Sequence, residues 1–189
     1  MILNSARLVM RPLEGGDLAA MHDVMRRPEA MRYWSTLPHA DLAATEGWIG
    51  CKLARPDTGS EFVMVLDGQV IGTVGGDQLP EIGFILHPDH WGKGLVSEAM
   101  AVVVAHIFAS QPIAALTADV DPRNVASLRV LVRIGGEYVL AGRGMVPFGL
   151  SAAGSPRLTA CPAPTQMGAL RPHGFARRKS FPRRVFLPV

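Results

Sequence analysis

The segment HPDHWGKGLVSEAM (residues 87–100) places two glycines around a lysine, just before an apolar, helix-like run. A strand that leads through a glycine-rich turn into a helix presents unpaired backbone N–H groups and the positive end of the helix dipole. This arrangement binds phosphate or pyrophosphate. Gly92 and Gly94 alone are equally consistent with a tight turn that binds nothing. The segment matches neither GxxxxGK[ST] nor GxGxxG, because position 97 is Ser97.

The elements that must position this turn follow from the spacing of the apolar residues. Asp67-Gly68 separates two β-rich runs and predicts a tight hairpin. In chain order, the predicted elements are a strand at 6–13, helices at 17–27 and 41–54, strands at 61–66, 69–76 and 81–87, a helix at 96–109, a strand at 113–120, a helix ending near 134 and a strand from 137. This order predicts an α/β fold with a mixed sheet.

Helix caps and buried faces are predicted within these elements. Asp41 is expected to cap the second helix, and either Asp121 or Asn124 the last one. The apolar residues of the second helix share helical spacing and are expected to be buried; they are Leu42, Trp48, Ile49 and Leu53.

Composition and charge divide the chain near residue 140. Hydrophobic residues make up 48% of the 189 residues, which is sufficient for one domain with a hydrophobic core. Residues 141–189 contain eight of the nineteen Lys and Arg residues and none of the sixteen Asp and Glu residues. The sequence therefore predicts a domain at 1–140, followed by a basic tail at 141–189 that is rich in proline and poorly ordered.

Further sequence features narrow the class of protein. No signal peptide and no apolar run long enough to span a membrane are recognised, so a soluble, cytoplasmic protein is expected. Cys51 and Cys161 lie 110 positions apart without CxxC spacing or an adjacent histidine, so unpaired thiols and no metal site are expected.

Two motifs together resemble a known family. The stretch EIGFILHPDHWGKGLVSEAM, followed by DPRNVASLRVLVRIGG, resembles the acetyl-CoA site of the GNAT N-acetyltransferase superfamily, in its RimJ/RimL-like branch, over Ala6 to about Tyr138. The family pattern is Gln/Arg-x-x-Gly-x-Gly/Ala. Trp91 occupies its first position and Gly94 its fourth, while Val96 departs from the last and is expected to crowd the pyrophosphate turn. The resemblance implies a mixed, largely antiparallel central sheet with helices on both faces.

The resemblance also implies the residues that contact acetyl-CoA. Backbone amides of the turn would bind the pyrophosphate, and the end of the preceding strand would pair with the pantetheine arm. Asn124 and Ser127 would lie beside the thioester, although a helix cap explains Asn124 equally well. The cofactor-binding residues expected from the resemblance are Ile85, Leu86, His87, Trp91, Gly92, Lys93, Gly94, Leu95, Val96, Asn124 and Ser127.

The reaction implied is direct attack of a primary amine on the acetyl thioester. The amine must lose a proton before it attacks, and the resemblance assigns this base to Glu81, although an exposed glutamate without a role is an alternative. Three other side chains are possible bases: His87, His90 and Glu46. A strand N–H near Ile85 would polarise the thioester carbonyl.

The departing thiolate and the acceptor amine involve other residues. Many relatives have a tyrosine as general acid where this sequence has Leu131, so the proton would come from Ser127 or from water. Substrate contacts are expected from Arg32, Tyr33 and Trp34, for which packing is an equal alternative. The expected acceptor is a protein N-terminus or a small-molecule amine, and the expected assembly is a monomer or a homodimer.

The resemblance ends after Tyr138, where composition changes abruptly. One hypothesis is a frame-shifted or divergent terminus, which reading the coding DNA in the other two frames would test. The alternative function is a catalytically impaired GNAT-fold protein that binds CoA, and RNA nonspecifically through the basic tail.

Overall fold

The computed structural model describes residues 1–55 and 58–136, together with the backbone of 137–138, 148–149 and 186–188. The strands are β1 (Leu3–Asn4), β2 (Val9–Arg11), β3 (Glu61–Leu66), β4 (Gln69–Gln78), β5 (Glu81–Leu86), β6 (Ala115–Thr117), β7 (Glu137–Tyr138), β8 (Phe148–Gly149) and β9 (Phe186–Pro188). The helices are α1 (Leu18–Met25), α2 (Pro28–Met31), α3 (Leu42–Leu53), α4 (Leu95–Ser110) and α5 (Val125–Arg133), with 3₁₀ turns at Gly15–Asp17 and Pro88–His90.

Local signals determine where several of these elements begin and turn. Asp67 and Gly68 both have positive φ, at 49° and 81°, and join β3 to β4 in the predicted two-residue hairpin. The Asp41 side chain accepts a hydrogen bond from the Ala44 N–H and caps α3 as expected. Asn124, rather than Asp121, caps α5.

One mixed sheet organises the described strands, in the order β1-β2-β3-β4-β5-β6-β9. All neighbours in this sheet are antiparallel except β5 and β6, which are parallel and share the single register pair Glu81 and Thr117. Beyond that pair the two strands are no longer hydrogen-bonded as a ladder. The sheet is therefore open between β5 and β6 towards the carboxyl ends of both strands.

Helices cover both faces of the sheet and enclose two apolar cores. On one face, α4 is buried against the strands through residues that include Val96, Met100 and Ile107. On the other face, Met21 of α1 and Ile49 of α3 pack with Ile85 of β5. The predicted α/β fold, with a largely antiparallel sheet between helices, is confirmed.

The burial predicted for α3 is wrong at its two ends. Ile49 is buried and Trp48 is half-buried, but Leu42 and Leu53 are each about half exposed. Leu42 and Leu53 are the first and last residues of α3, whereas Ile49, within the helix, packs with Met21 of α1.

The predicted basic tail lies mostly outside the described residues. The described parts are two short strands: β8 pairs with β7, and β9 pairs with β6. The boundary near residue 140 and the poor order of residues 141–189 stay predictions, and Cys161 lies outside the described residues. Over the part of the chain that is described, no helix has the length and apolar character needed to cross a membrane.

Close contact between β4 and β3 makes Gly75 sensitive to substitution. Gly75 has φ +102°, and a Cβ there would overlap the carbonyl oxygen of Ser60. We expect Gly75→Ala to lower the free energy of unfolding by about 2 kcal/mol or more. Gly47→Ala is the control, because a Cβ at this exposed helical position meets no atom within 4 Å. The control should be stabilising by about 0.5–1 kcal/mol in the same urea titration, and equal effects of the two substitutions would contradict the prediction.

Candidate active site

The opening between β5 and β6 is the most distinctive feature of the sheet. The N–H of Thr117 donates to the carbonyl of Pro80 at 2.7 Å, and the strands separate from there onwards. Because β5 and β6 run parallel, the turns that follow them lie at the same edge of the sheet. Ligands of open α/β sheets bind in such a crevice, at the carboxyl ends of the strands.

The backbone of β5 alternates between β4 and this cleft. The N–H of His87 donates to the Ile71 carbonyl at 2.8 Å, and a Cβ on Gly72 would overlap the carbonyl oxygen of Ile85. Ile85 and His87 thus direct their backbone groups towards β4. Since successive residues of a strand point their N–H and C=O groups in opposite directions, Phe84 and Leu86 direct theirs into the cleft.

This alternation corrects one expectation and makes another more specific. Of the three residues expected to pair with the pantetheine arm, only Leu86 faces the cleft, and the second cleft-facing residue is Phe84. A strand N–H near Ile85 is expected to polarise the carbonyl, and the N–H groups near Ile85 that face the cleft are those of Phe84 and Leu86, because the N–H of Ile85 itself is directed at β4. The correction arises from the register between β4 and β5, which a single sequence does not reveal.

The turn between β5 and α4, called the glycine turn below, has a left-handed backbone conformation at both of its glycines. Gly92 and Gly94 have φ of 74° and 75°, and Gly94 is the N-cap of α4 without a side-chain capping hydrogen bond. The first N–H groups of α4 are therefore left without intrahelical partners. A Cβ on Gly92 would meet no atom within 4 Å. Within the protein itself, glycine is required by the left-handed conformation rather than by lack of space.

The side chains around the turn are divided between core and solvent. Leu95 and Val96 are buried in the core, at 2% and 7% exposure, so that only their backbone faces the turn. Val96 thus packs in the core, and the crowding of a bound pyrophosphate expected from the family pattern stays a prediction. Lys93 is exposed and places a positive charge on the same turn.

Trp91 connects the glycine turn to the end of β5. Its indole Nε1–H donates to the carbonyl of Leu86 at 2.9 Å, while the ring remains half exposed. The indole thus lies at the cleft edge of β5 and fixes the position of the turn relative to the strand.

Asn124 and Ser127 lie at the start of α5. Asn124 Oδ1 accepts from the Ser127 N–H at 3.2 Å, which is an N-cap hydrogen bond. Because α5 follows β6 as α4 follows β5, the two helices begin at the same edge of the sheet. Leu131, further along α5, is fully buried.

The expected substrate residues extend from α2 to this edge. The Tyr33 hydroxyl donates to the Arg123 carbonyl at 3.3 Å, just before Asn124. The Arg32 guanidinium lies over the Tyr33 ring, 5.5 Å from its centroid, and Trp34 is partly exposed. The structure brings Tyr33 close to the start of α5, whereas Arg32 and Trp34 lie on the exposed side of the same loop.

Glu81 lies at the closed end of the cleft, where β5 and β6 meet. It is exposed and shares a strand face with Gly83 and Ile85, on the side covered by α1 and α2. A Cβ on Gly83 would meet no atom within 4 Å, so there is open space beside the Glu81 side chain. Leu86 is five positions further along the strand than Glu81, which corresponds to about 17 Å.

The two histidines of the turn have different surroundings. His87 is 8% exposed, its Nε2 is 3.2 Å from Asp23 Oδ2, and its Nδ1 accepts from the Asp89 N–H at 3.3 Å. Burial, with smaller effects of Lys93 and His87, lowers the pKa of His90. Glu46 is exposed on α3. The Asp23 carboxylate thus lies close to His87, although His87 Nε2 makes no hydrogen bond, and the lowered pKa of His90 favours its neutral imidazole.

A cluster of residues from the start of the chain reaches the glycine turn, and the sequence analysis did not identify it. Glu98, in the first turn of α4, accepts from the Ser5 hydroxyl at 2.7 Å and from the Arg7 backbone N–H at 2.8 Å. The Arg7 guanidinium pairs with the same carboxylate at 2.6 Å. Glu98 in the first turn of a predicted helix was visible in the sequence, but its partners are 91 and 93 positions away.

The Glu98 cluster predicts a loss of stability in acid. The Ser5 hydroxyl, and then Arg7, hold the pKa of Glu98 below its usual value of 4.5 despite partial burial. A lowered pKa contributes stability above the unfolded value, which is lost as pH falls through the folded value. At pH 7, Glu98→Gln should lower the free energy of unfolding by about 1 kcal/mol, because water screens this partly exposed pair.

The measurement is urea unfolding of both proteins between pH 7 and pH 3. The difference between wild type and Glu98→Gln should become smaller as the pH falls towards 3, because protonation removes the charge of the wild-type carboxylate. Glu29→Gln, an exposed position on α2, is the control and should change the free energy of unfolding by less than about 0.5 kcal/mol. A Glu98→Gln difference that is constant with pH would contradict the assignment.

Comparison with known proteins identifies the family. Residues 7–137 match the family model described as an acetyltransferase (GNAT) domain. An N-acetyltransferase of Bacillus licheniformis, p20, is 28% identical over 139 residues, 68% of this chain and 78% of that protein. Spermidine N(1)-acetyltransferase of Escherichia coli K12 is 26% identical, over 67% of this chain and 70% of that enzyme.

Solved structures agree with the family match. RimL, a ribosomal L7/L12 alpha-N-protein acetyltransferase solved in complex with coenzyme A, aligns with a TM-score of 0.66 and 15% identity over 77% of this chain and 90% of that chain. At this identity the likeness shows the fold. The family model, which covers most of the chain, confirms the resemblance found in the two motifs. The chain belongs to the GNAT family of acyl-CoA-dependent N-acetyltransferases, which transfer acetyl from acetyl-CoA to an amine.

Proposed function

We propose that acetyl-CoA binds in the cleft between β5 and β6, and that a primary amine attacks its thioester directly. The observation that carries this proposal is the edge of β5. It is left without a strand partner beyond Glu81, and it leads into a helix N-terminus without a side-chain cap. An unpaired strand edge and an unpaired helix terminus, joined by one turn, suit a ligand with amide groups and a pyrophosphate.

The pyrophosphate is assigned to the glycine turn. The backbone N–H groups of residues 92–96 supply donors, and the positive end of the α4 dipole adds a favourable field. Lys93 supplies a full positive charge on the same turn. Trp91 contributes by fixing the turn against Leu86 rather than through a charge.

The pantetheine arm is assigned to the cleft edge of β5. Phe84 and Leu86 direct backbone N–H and C=O groups into the cleft, so that the arm would be bound as an added strand is bound. The Leu86 carbonyl already accepts from Trp91, which leaves Phe84 as the principal pairing residue. The N–H that faces the thioester carbonyl then belongs to a residue of β5 that faces the cleft, Phe84 or Leu86, and not to Ile85.

Glu81 is assigned the role of general base. An alkyl amine is protonated near neutral pH, so a carboxylate within reach, directly or through one water, must accept its proton. Glu81 lies at the closed end of the cleft beside the open space at Gly83, about 17 Å along the strand from Leu86, which precedes the glycine turn. His87 and His90 lie at the glycine turn itself, beside the pyrophosphate rather than the thioester.

The leaving thiolate is assigned to the start of α5. Ser127, in the first turn of that helix, is half-buried, and the helix dipole favours negative charge there. Leu131 belongs to the core and offers no proton, so Ser127 or a water beside it protonates the thiolate. Neither of these two proton donors is a charged acid.

The acceptor is assigned to the surface formed by Arg32, Tyr33 and Trp34. The Tyr33 hydrogen bond to Arg123 connects this loop to the start of α5, so that the loop borders the cleft. RimL acts on a protein N-terminus and the E. coli relative on spermidine, so both classes of primary amine are candidates. Catalytic impairment and RNA binding through the tail stay predictions, since the tail lies mostly outside the described residues.

Cofactor binding and catalysis can be tested separately through Glu81. Saturating acetyl-CoA should raise the melting temperature of the full chain by roughly 5–10 °C. Glu81→Gln should keep this stabilisation but lower kcat by about 10²-fold or more on whichever amine the wild type accepts. Thiol release would be followed over a panel of α-amino peptides, polyamines and amino acids.

The controls separate the possible failures. Glu29→Gln should leave both measurements unchanged. An unchanged rate in Glu81→Gln would refute the assigned base, and an unresponsive wild type would refute the cofactor site. Binding without turnover on any amine would favour the impaired protein.

The conformation of the glycine turn can be tested at Gly94. Alanine at φ +75° costs about 1–2 kcal/mol in strain, and the turn should relax away from its anion-binding form. We expect Gly94→Ala to raise the KM for acetyl-CoA about tenfold while leaving the KM for the amine unchanged. Gly50→Ala, in α3, is the control, because a Cβ there meets no atom within 4 Å and neither KM should change. An unaltered KM for acetyl-CoA in Gly94→Ala would contradict the assignment of the turn.

A further inference from the structure

The turn between β1 and β2 packs against the N-terminus of α4. The Ser5 N–H donates to the Leu8 carbonyl at 2.9 Å, and the Leu8 N–H donates back to the Ser5 hydroxyl at 3.1 Å. The same hydroxyl donates to Glu98. A short turn near the start of the chain is thus rigidly joined to the helix whose first amides face the proposed pyrophosphate.

Arg7 extends this contact into the glycine turn itself. Its Nη1 donates to the Lys93 carbonyl at 3.0 Å, while its Nε donates to Glu98 Oε2 at 2.7 Å. Its Nη2 also lies 3.8 Å from where a Cβ of Gly94 would be. One guanidinium therefore links the centre of the Gly-Lys-Gly segment to the first turn of α4.

The hydrogen bond to Lys93 orients an amide of the turn. The carbonyl of Lys93 and the N–H of Gly94 belong to one planar trans peptide, in which the two groups point in opposite directions. Because Arg7 holds the carbonyl, the N–H of Gly94 is directed away from Arg7. The donor is thereby oriented before any anion arrives, which lowers the cost of binding.

The charge of Arg7 has a second consequence. Glu98 is in the first turn of α4, where a carboxylate is favoured by the helix dipole but would repel a bound pyrophosphate. Arg7 satisfies both carboxylate oxygens, through its backbone N–H and its guanidinium. The helix start thus keeps an electrostatically neutral pair beside the anion site instead of an uncompensated negative charge.

We propose that Arg7 is a positioning residue for the cofactor: it orients the Gly94 amide through Lys93 and neutralises Glu98, so that the turn accepts the pyrophosphate of acetyl-CoA. This inference rests on the proposed cofactor site. It concerns only the pyrophosphate half of that site, and the two can be tested apart with donors that differ in this group.

The experiment compares acetyl-CoA with S-acetyl-pantetheine, which lacks the pyrophosphate, in Arg7→Gln. The variant should raise the KM for acetyl-CoA about tenfold, keep kcat at saturation within about twofold, and leave kcat/KM for S-acetyl-pantetheine unchanged. The ratio between the two donors within one preparation is independent of the fraction of protein that is folded. A purely structural role of Arg7 would lower the rate with both donors alike.

Two further variants test the neutralising role. Arg7→Gln combined with Glu98→Gln removes the uncompensated carboxylate and should recover part of the lost affinity for acetyl-CoA. Arg55→Gln is the matched control, because Arg55 is as exposed as Arg7, at 47% against 48%, and pairs with Asp77. Arg55→Gln should leave the KM for acetyl-CoA and the kcat/KM for S-acetyl-pantetheine unchanged.

The outcomes are distinct. An Arg7→Gln protein with unchanged KM for acetyl-CoA, or with equal losses on both donors, would overturn the inference while the proposed function stands. A double variant as weak as Arg7→Gln would overturn the neutralising role. A wild type whose kcat/KM for S-acetyl-pantetheine equals its kcat/KM for acetyl-CoA would overturn both the pyrophosphate assignment and the inference. A wild type that is inactive with both donors would overturn the proposed function as well.

Discussion

The separation of β5 from β6 is the constraint on which the candidate site depends. Two parallel strands that remained paired would satisfy each other's backbone groups, and no edge would be left for a ligand. Here the hydrogen-bonded ladder between β5 and β6 ends after Glu81 and Thr117. Beyond that pair, the backbone groups of β5 that face the cleft have no strand partner. The sheet compensates on the other side, where β5 stays paired with β4 as far as Leu86.

Backbone groups, more than side chains, form the proposed cofactor site. The turn after β5 supplies amides in a left-handed conformation at Gly92 and Gly94, and the strand supplies those of Phe84 and Leu86. The neighbouring side chains serve mainly to hold this backbone: Trp91 ties the turn to the strand. A site of this kind tolerates considerable change in side-chain sequence, which is consistent with relatives of less than 30% identity.

Sequence reasoning succeeded where the determining interactions are local. The Asp67-Gly68 hairpin and the Asp41 cap each depend on residues within a few positions of one another, and so does the cap of α5, for which the sequence left Asp121 and Asn124 open. It failed for Leu42 and Leu53, the first and last residues of α3, whose exposure depends on which neighbouring elements cover the ends of that helix.

The sequence by itself determined the glycine turn, the order of the elements from α3 to α5 and the family, because these are encoded by adjacent residues and by motifs, whereas the single strand predicted at 6–13 is the two strands β1 and β2 and α2 was not predicted. Only the tertiary structure decided which amides of β5 face the cleft. A shift of the strand register by one residue would exchange the residues that face β4 with those that face the cleft. It alone brought Arg7 to Glu98, across 91 positions, since packing of the β1–β2 turn on α4 has no local signature. The backbone of the site is thus locally encoded, and its orientation is set by long-range contacts.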